Sequence, residues 1–293
     1  MHATVPQLVR EILRESLSHA MTMVPLLFGV FLIVEAFSHG TNKASMSKAM
    51  GHPVLGPVAA AALGLVPQCG FSVAATTLYL DGIVPTGSLL AAYIATSDEA
   101  VPILVADPGT TRFMVPLLAT KIVWGALAGT IVNLAQNRRS KTTATPGGET
   151  SETGSHSCVG QQAEWNELVP HAAARAVRIT AMVFVFSSLL NLLGHLLAPG
   201  VERALGGSGV LQPLATSFLG LIPSCATSVG LAEGFRTGYL SFPALVSGLT
   251  ANSGVGLLVL IKESKRPGDT LSVAVLLVVS ALTVGFLASL LTL

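Results

Sequence analysis

The chain has 293 residues, of which 51% are hydrophobic and 11% are charged, and its mean hydropathy is +0.68. Soluble domains carry about a quarter charged residues, so this composition predicts an integral membrane protein. The formal net charge of +1 provides no basic field for nucleic acid. Three cysteines without a CxxC pair do not indicate a disulfide framework.

The N-terminal twenty residues are polar and amphipathic, and they lack the apolar run and cleavage site of a signal peptide. They are expected to lie along the membrane surface, or alternatively to form a polar tail. The first long apolar run, Met21–Phe37, approaches the ~20 residues that cross the hydrocarbon. It is therefore predicted to be the first span.

Two short apolar pieces, Val54–Val66 and Phe71–Leu80, follow on either side of a PQCG break. Each is too short to span the hydrocarbon alone. Two longer apolar runs, Ile83–Val105 and Phe113–Leu134, are predicted to be spans. The next segment, Asn137–Gln162, is polar and rich in Gly, Ser and Thr, which predicts a flexible linker.

The second half repeats this pattern. Leu63–Val105 aligns with Leu219–Ile261 at a constant offset and without a gap, and most identities fall in its first quarter. A duplicated set of broken membrane segments is typical of transporters. The apolar runs of this half are Ile179–Leu197, Pro213–Ile222, Thr227–Phe235, Leu240–Ile261 and Leu271–Leu293.

The path of the broken piece decides the topology. If it were one kinked span, the basic linker and the basic loop at Lys262 and Lys265 would lie on opposite sides, which the positive-inside rule disfavours. If it is a re-entrant hairpin, both are cytoplasmic, both termini are outside, and the second half is inverted. Arg10 and Arg14 count against this model, which is nevertheless preferred.

The predicted fold is therefore an all-α integral membrane protein with two inverted-topology repeats. Each repeat has three spans and one broken or re-entrant helical hairpin, giving about ten membrane segments. The expected divisions are an amphipathic segment (1–20), the first repeat (21–135), a cytoplasmic linker (136–165) and the second repeat (166–293).

The PQCG break and its counterpart PSCA are candidate site elements. Proline removes a backbone donor, and unpaired backbone in a membrane is tolerated only beside protein or a water-filled cavity. Two such breaks at equivalent positions favour a site over simple proline kinks. The polar residues in these breaks are the predicted binding groups, and the cysteines are also candidate soft-metal ligands: Gln68, Cys69, Ser224 and Cys225.

Asp98 and Glu99 are the strongest site candidates because carboxylates deep in a membrane usually mark an ion or proton pathway. The alternative is a carboxylate that caps a half-helix. The polar pair before them is matched in the second repeat, which predicts an oxygen-rich cluster suited to hard divalent cations. The members of that pair and its counterpart are Thr96, Ser97, Asn252 and Ser253.

Glu35 and its repeat partner Asn191 are polar at membrane depth, and they are expected either to bond within the core or to support the site. Glu233 and Arg236 are close enough in sequence to pair, and this pair is predicted to be structural.

The two repeat cores, with their P-x-C-x-x-S-V and T-S-D-E-A motifs, resemble the ten-transmembrane heavy-metal exporter family, whose members are labelled arsenic efflux proteins or manganese transporters. They are more distantly similar to organoarsenical permeases. The resemblance covers nearly the whole chain except the linker, and it implies efflux of a metal or metalloid across a prokaryotic cytoplasmic membrane.

The leading hypothesis is a proton-coupled exporter of a Mn(II)-like divalent cation, with the ion held by Asp98, Glu99, Cys69 and Cys225. The alternative is an exporter of an organoarsenical or another small organic solute. HExxH, G-x-S-x-G and P-loop motifs are missing from the sequence, so neither an enzyme nor a cofactor is expected. The expected partners are the transported ion, protons and the lipid bilayer, and a homodimer is compatible with the sequence.

Overall fold

The computed structural model describes residues 50–65, 69–96, 100–142, 177, 211–264 and 267–291. These residues form eleven helices and no strand. In chain order, α1 to α11 are Leu55–Gly64, Cys69–Leu80, Thr86–Ala95, Ala100–Ala106, Pro108–Thr111, Met114–Thr142, Leu211–Gly220, Cys225–Arg236, Phe242–Ala251, Gly256–Glu263 and Pro267–Leu291.

The helices of the two halves correspond in register. The pairs α1 and α7, α2 and α8, and α3 and α9 each begin and end 156 positions apart, and α4 and α10 begin at the same separation. Packing is matched as well, because α1 packs on α3 as α7 packs on α9, and α3 packs on α6 as α9 packs on α11. The repeat seen in the sequence is therefore a repeat of structure.

Four segments of the described residues are long and apolar enough to cross a membrane. They are Thr86–Ala106, Met114–Asn137, Phe242–Glu263 and Gly268–Leu291. By contrast, α1 has 10 residues and α2 has 12, so at 1.5 Å per residue each is roughly 15–18 Å long, well short of the hydrocarbon thickness. The chain is a multi-pass membrane protein.

The spans differ in how deeply they are buried. In Phe242–Glu263, 89% of the most apolar stretch is buried within the protein, compared with 22% in Met114–Asn137. Large apolar side chains cover the outer faces of α6 and α11, where Val115 and Leu271 are 75% and 66% exposed. Such faces suit contact with lipid, whereas α3 and α9 form the centre.

The two halves interlock through crossed packing. Helix α2 of the first half packs on α10 of the second, and α8 of the second packs on α4 of the first. One buried cluster joins α3 to α10 and α11, with Tyr93, Leu257 and Leu277 among its members. The short helices therefore pack across the boundary between the repeats.

Helix breaks lie where the PQCG and PSCA motifs predicted them. At the first motif, α1 ends at Gly64 and α2 begins at Cys69. At the second, α7 ends at Gly220 and α8 begins at Cys225. The predicted spans Ile83–Val105 and Leu240–Ile261 overlap the candidate membrane spans Thr86–Ala106 and Phe242–Glu263, in agreement with the prediction. Each of these runs is divided into two helices, because a second break follows Ala95 and Ala251.

The last helix of the first half is longer than its apolar run. Helix α6 continues to Thr142, past Asn137, where the sequence placed the start of the linker. Its polar end can remain helical because a helix that leaves the membrane satisfies its own backbone hydrogen bonds. The N-terminal segment, the runs Met21–Phe37 and Ile179–Leu197, and most of the predicted linker lie outside the described residues.

Candidate functional site

The site is built on two interrupted helices, α3–α4 in the first half and α9–α10 in the second. Their breaks fall at equivalent positions, after Ala95 and after Ala251. A break leaves the last carbonyl groups of the preceding helix without intrahelical donors. Those groups also carry the negative end of the helix dipole, which favours a nearby cation.

Residues of the second break hold its shape. The Asn252 side-chain oxygen accepts a hydrogen bond of 2.9 Å from the Gly254 backbone amide. Gly254 has a φ of 58°, in the left-handed region where a side chain would be strained. Both features end α9 abruptly and allow α10 to begin at Gly256.

Lys121 connects the two interrupted helices. It lies on α6, its side chain is only 1% exposed, and its ammonium donates hydrogen bonds to the backbone carbonyls of Thr96 and, at 2.9 Å, Leu249. Thr96 ends α3 and Leu249 lies in the last turn of α9. One buried positive charge therefore holds the carbonyl ends of helices from both halves.

Lys121 was not predicted to be a site residue, although the sequence contains an indication of its role. It is the single charged residue in the apolar run Phe113–Leu134. Burying an ammonium costs several kcal/mol unless it is well compensated. A charged residue inside a membrane span is by default a candidate functional residue.

Two hydroxyl groups close to Leu249 in sequence have no hydrogen-bond partner. The side-chain oxygens of Thr250 and Ser253 are buried and unpaired, and the residues are 0% and 1% exposed. An unpaired buried polar group costs about 1–3 kcal/mol. Groups kept at this cost beside a helix break are available to a ligand.

A hydrogen-bonded cluster fixes the start of α10 against the first half. The Thr76 hydroxyl lies 2.6 Å from the Tyr93 hydroxyl and within hydrogen-bond distance of the backbone oxygens of Ser72 (2.7 Å) and Gly256 (3.2 Å). A Cβ atom on Gly256 would lie 2.7 Å from that Ser72 oxygen. Glycine therefore permits the close approach of α10 to α2.

The structure describes four of the predicted polar binding residues in full, and all four are buried: Thr96, Ser224, Asn252 and Ser253. The Thr96 hydroxyl donates to the Ala92 carbonyl at 2.7 Å, and the backbone oxygen of Thr96 accepts the hydrogen bond from Lys121. Lys121 thus joins the end of α3 to the end of α9. In the sequence, the predicted polar pairs Thr96–Ser97 and Asn252–Ser253 stand at these two ends.

The remaining candidates lie at or beyond the limits of the described residues. Cys69 and Cys225 are the first residues of α2 and α8, and their side chains are outside the description. The other predicted residues also lie outside it: Glu35, Gln68, Ser97, Asp98, Glu99 and Asn191. The described residues contain no cluster of three or more His, Cys, Asp or Glu side chains.

Glu233 and Arg236 form the predicted pair, with Arg236 Nε donating to a Glu233 carboxylate oxygen at 2.8 Å. The hydrogen bonds from Arg236 hold the pKa of Glu233 below its usual value, and Glu233 raises the pKa of Arg236. Both side chains are exposed at the end of α8, which agrees with a structural role.

A surface cavity of about 260 Å³ lies elsewhere, between α7 and α11, and it is lined by Leu211, Pro213, Leu214, Leu282, Phe286 and Ser289. The Ser289 hydroxyl already bonds to the Gly285 carbonyl. This cavity offers no charged group to an ion, so the site is assigned to the helix breaks.

The fold defines a multi-pass membrane protein with interrupted helices. Residues 7–198 match the model of a family described as "Putative, 10TM heavy-metal exporter". Because the match spans well over half of the chain, the protein belongs to this family of heavy-metal exporters. Comparison with curated proteins and with solved structures gave no match.

Proposed function

We propose that this protein is a secondary transporter that exports a metal ion, preferentially a Mn(II)-like divalent cation, from the cytoplasm of a prokaryotic cell. The observation that carries the proposal is the meeting of two helix breaks at Lys121. Interrupted helices with carbonyl ends at a shared point are the common means by which transporters bind cations. Family membership supports the heavy-metal substrate.

The proposed architecture is a pair of inverted repeats with re-entrant hairpins. The matched helix bounds and the crossed packing of α2 on α10 and α8 on α4 support a two-fold relation between the halves. Because α1 and α2 are too short to span, each of the pairs α1–α2 and α7–α8 is assigned to a hairpin. This arrangement has both termini outside and the linker in the cytoplasm, in agreement with the positive-inside rule.

In this proposal Asp98 and Glu99 supply the negative charge that binds the cation. In the sequence they fall between the end of α3 and the start of α4, two and three positions after Thr96, whose carbonyl accepts a hydrogen bond from Lys121. The predicted ligands around them are Gln68, Cys69, Thr96, Ser97, Ser224, Cys225, Asn252 and Ser253, with Glu35 and Asn191 in support. Two adjacent carboxylates repel each other, which suits one of them to carry a coupling proton.

The test is a metal-sensitivity panel with intracellular metal content measured in cells that produce the wild-type protein or the double variant Asp98→Asn, Glu99→Gln. Wild-type protein is expected to lower intracellular Mn(II), and the double variant is expected to abolish this effect. Asp269→Asn serves as the control, because this carboxylate is exposed in the first turn of α11. Collapse of the proton gradient should also stop export. Equal export by the double variant would contradict the proposal.

A second candidate, export of an organoarsenical or another small organic solute, is favoured by one observation. Among the described residues, the ammonium of Lys121 places a positive charge between the two breaks. The same panel distinguishes the candidates, because organoarsenical resistance that survives in the double variant, together with unchanged Mn(II) levels in the wild type, would assign the protein to this class.

A further inference from the structure

The two carbonyl groups that hold Lys121 form an arrangement suited to cations in general. The Thr96 oxygen follows α3 and the Leu249 oxygen lies in the last turn of α9, so both belong to the negative ends of helix dipoles. Backbone carbonyls of this kind replace the hydration shell of an ion in many transport proteins. Lys121 therefore occupies a position that an inorganic cation could also occupy.

The ammonium belongs to one half only. The repeat equivalent of Lys121 is Leu277, which is 0% exposed within the cluster joining α3, α10 and α11. The fold thus accommodates an apolar side chain at the corresponding point of the second half. Packing alone does not require a charged residue at this position of the repeat.

Additional oxygen groups lie next to this position in the chain. The hydroxyl groups of Thr250 and Ser253 are buried without partners, one and four residues after Leu249. The ammonium leaves these two oxygens unpaired. A larger coordination shell around a metal ion would use oxygens of this type, since hard divalent cations take six or more oxygen ligands.

We propose that Lys121 is an internal cation that occupies part of the substrate site in the empty protein and is displaced by the transported metal ion. This inference rests on the cation export proposed above and assigns its site an additional residue. When the ion binds, the ammonium leaves the carbonyls of Thr96 and Leu249, and its flexible stem allows it to move away. When the ion is released, the ammonium returns and holds α3 and α9 together for the return step.

The first measurement uses wild-type protein in lipid nanodiscs and the reactivity of individual lysines. Reductive methylation with formaldehyde and dimethylamine-borane is followed by peptide mass spectrometry, with and without saturating Mn(II). Lys121 is expected to react slowly in the empty protein and several times faster with Mn(II). Lys262, which is exposed at the end of α10, is the internal control and should react equally in both.

The second measurement compares Mn(II) binding by the variants Lys121→Met and Lys121→Arg. In Lys121→Met, Mn(II) no longer has to displace a competing cation. Mn(II) is therefore expected to bind about tenfold more tightly to this variant than to the wild type. Arginine keeps the charge, so its variant should bind no more tightly than the wild type. A purely structural lysine would give the opposite result, with weaker binding in Lys121→Met.

The outcomes separate this inference from the proposed function. If the wild type binds Mn(II) through Asp98 and Glu99 but the methylation of Lys121 does not increase, the inference is overturned and the export function stands. If the wild type binds neither Mn(II) nor Cd(II), both are overturned together. The methylation experiment decides the question alone if Lys121→Met does not fold.

Discussion

Trp124 and Ser280 are equivalent residues of the two repeats, 156 positions apart, and they bond to each other. The indole Nε1 of Trp124 donates to the Ser280 hydroxyl at 2.7 Å and lies 3.1 Å from the Ser280 carbonyl oxygen. Trp124 lies on α6 in the first half and Ser280 lies on α11 in the second half. This bond therefore lies at the junction of the halves, between α6 and α11.

Loss of the indole donor should weaken that junction. Trp124→Phe removes the N–H group from both Ser280 oxygens and is expected to cost about 1–3 kcal/mol through the lost bond and the reduced packing. Ser280→Ala should cost less, because the backbone carbonyl of residue 280 can still accept the bond. Unfolding of the purified protein in mixed micelles measures the difference. Equal stability of Trp124→Phe and wild type would contradict the assigned contact.

Close approach of α7 and α9 should make Gly220 intolerant of a side chain. A Cβ atom there would lie 2.1 Å from the Gly248 carbonyl oxygen, which is backbone and cannot rotate away. Gly220→Ala is expected to destabilise the protein by about 1–3 kcal/mol or to prevent its folding. Gly230→Ala is the matched control on α8, because a Cβ atom there meets nothing within 4 Å. Similar thermal stability of the two variants would refute the packing of α7 on α9.

The hydroxyl of Tyr93 should contribute measurably to the junction of α2, α3 and α10. Tyr93→Phe removes its 2.6 Å contact with Thr76, with an expected loss of about 1 kcal/mol in the free energy of unfolding. Tyr239→Phe is the control because Tyr239 is 62% exposed. A change in Tyr239→Phe as large as that in Tyr93→Phe would show that the buried contact is not responsible.

The Glu233–Arg236 pair should give a small, acid-sensitive contribution to stability. Because Arg236 lowers the pKa of Glu233 in the folded protein, the contribution is present above the unfolded-state pKa and is lost as pH falls through the folded-state value. Glu233→Gln should therefore differ from wild type near neutral pH and converge with it in acid. High salt should reduce the difference at neutral pH, since both side chains are exposed.

Lys121→Met should bind metal ions but export them poorly. Without the ammonium, the carbonyls of Thr96 and Leu249 have no internal cation for the return of the empty protein. Net export is expected to fall by about tenfold or more. Lys262→Met, at the exposed end of α10, provides the control and should export normally. Undiminished export by Lys121→Met would remove the lysine from the transport cycle.

Much of the fold could be predicted because apolar runs and proline breaks are local features of the sequence. The bounds of α1, α2, α7 and α8 agree closely with the short apolar pieces, and the repeat offset transferred from sequence to structure. The second break in each half was not predicted as a helix end, although polar residues mark it in the sequence: Thr96 follows α3, and Asn252 and Ser253 follow α9. The hydropathy averaged over each span remains high, at 1.5 for Thr86–Ala106 and 1.8 for Phe242–Glu263, so the average does not reveal the break.

The central part of the site could not be predicted because it depends on contacts between distant positions. Lys121 and Leu249 are 128 residues apart, and Thr76 and Gly256 are 180 apart. Sequence could identify Lys121 as an unusual charge in an apolar run, but the two carbonyls that hold it are determined by how the halves pack. Backbone groups carry no sequence signature, so this part of the site required the three-dimensional structure.

The most direct test of the account is Mn(II) transport by the purified protein in liposomes with an imposed proton gradient. Wild-type protein and Asp269→Asn are expected to move Mn(II) across the membrane only when the gradient is present, whereas the double variant Asp98→Asn, Glu99→Gln is expected to move none. Transport of Mn(II) by the double variant at the wild-type rate would contradict the assignment of the site to the helix breaks.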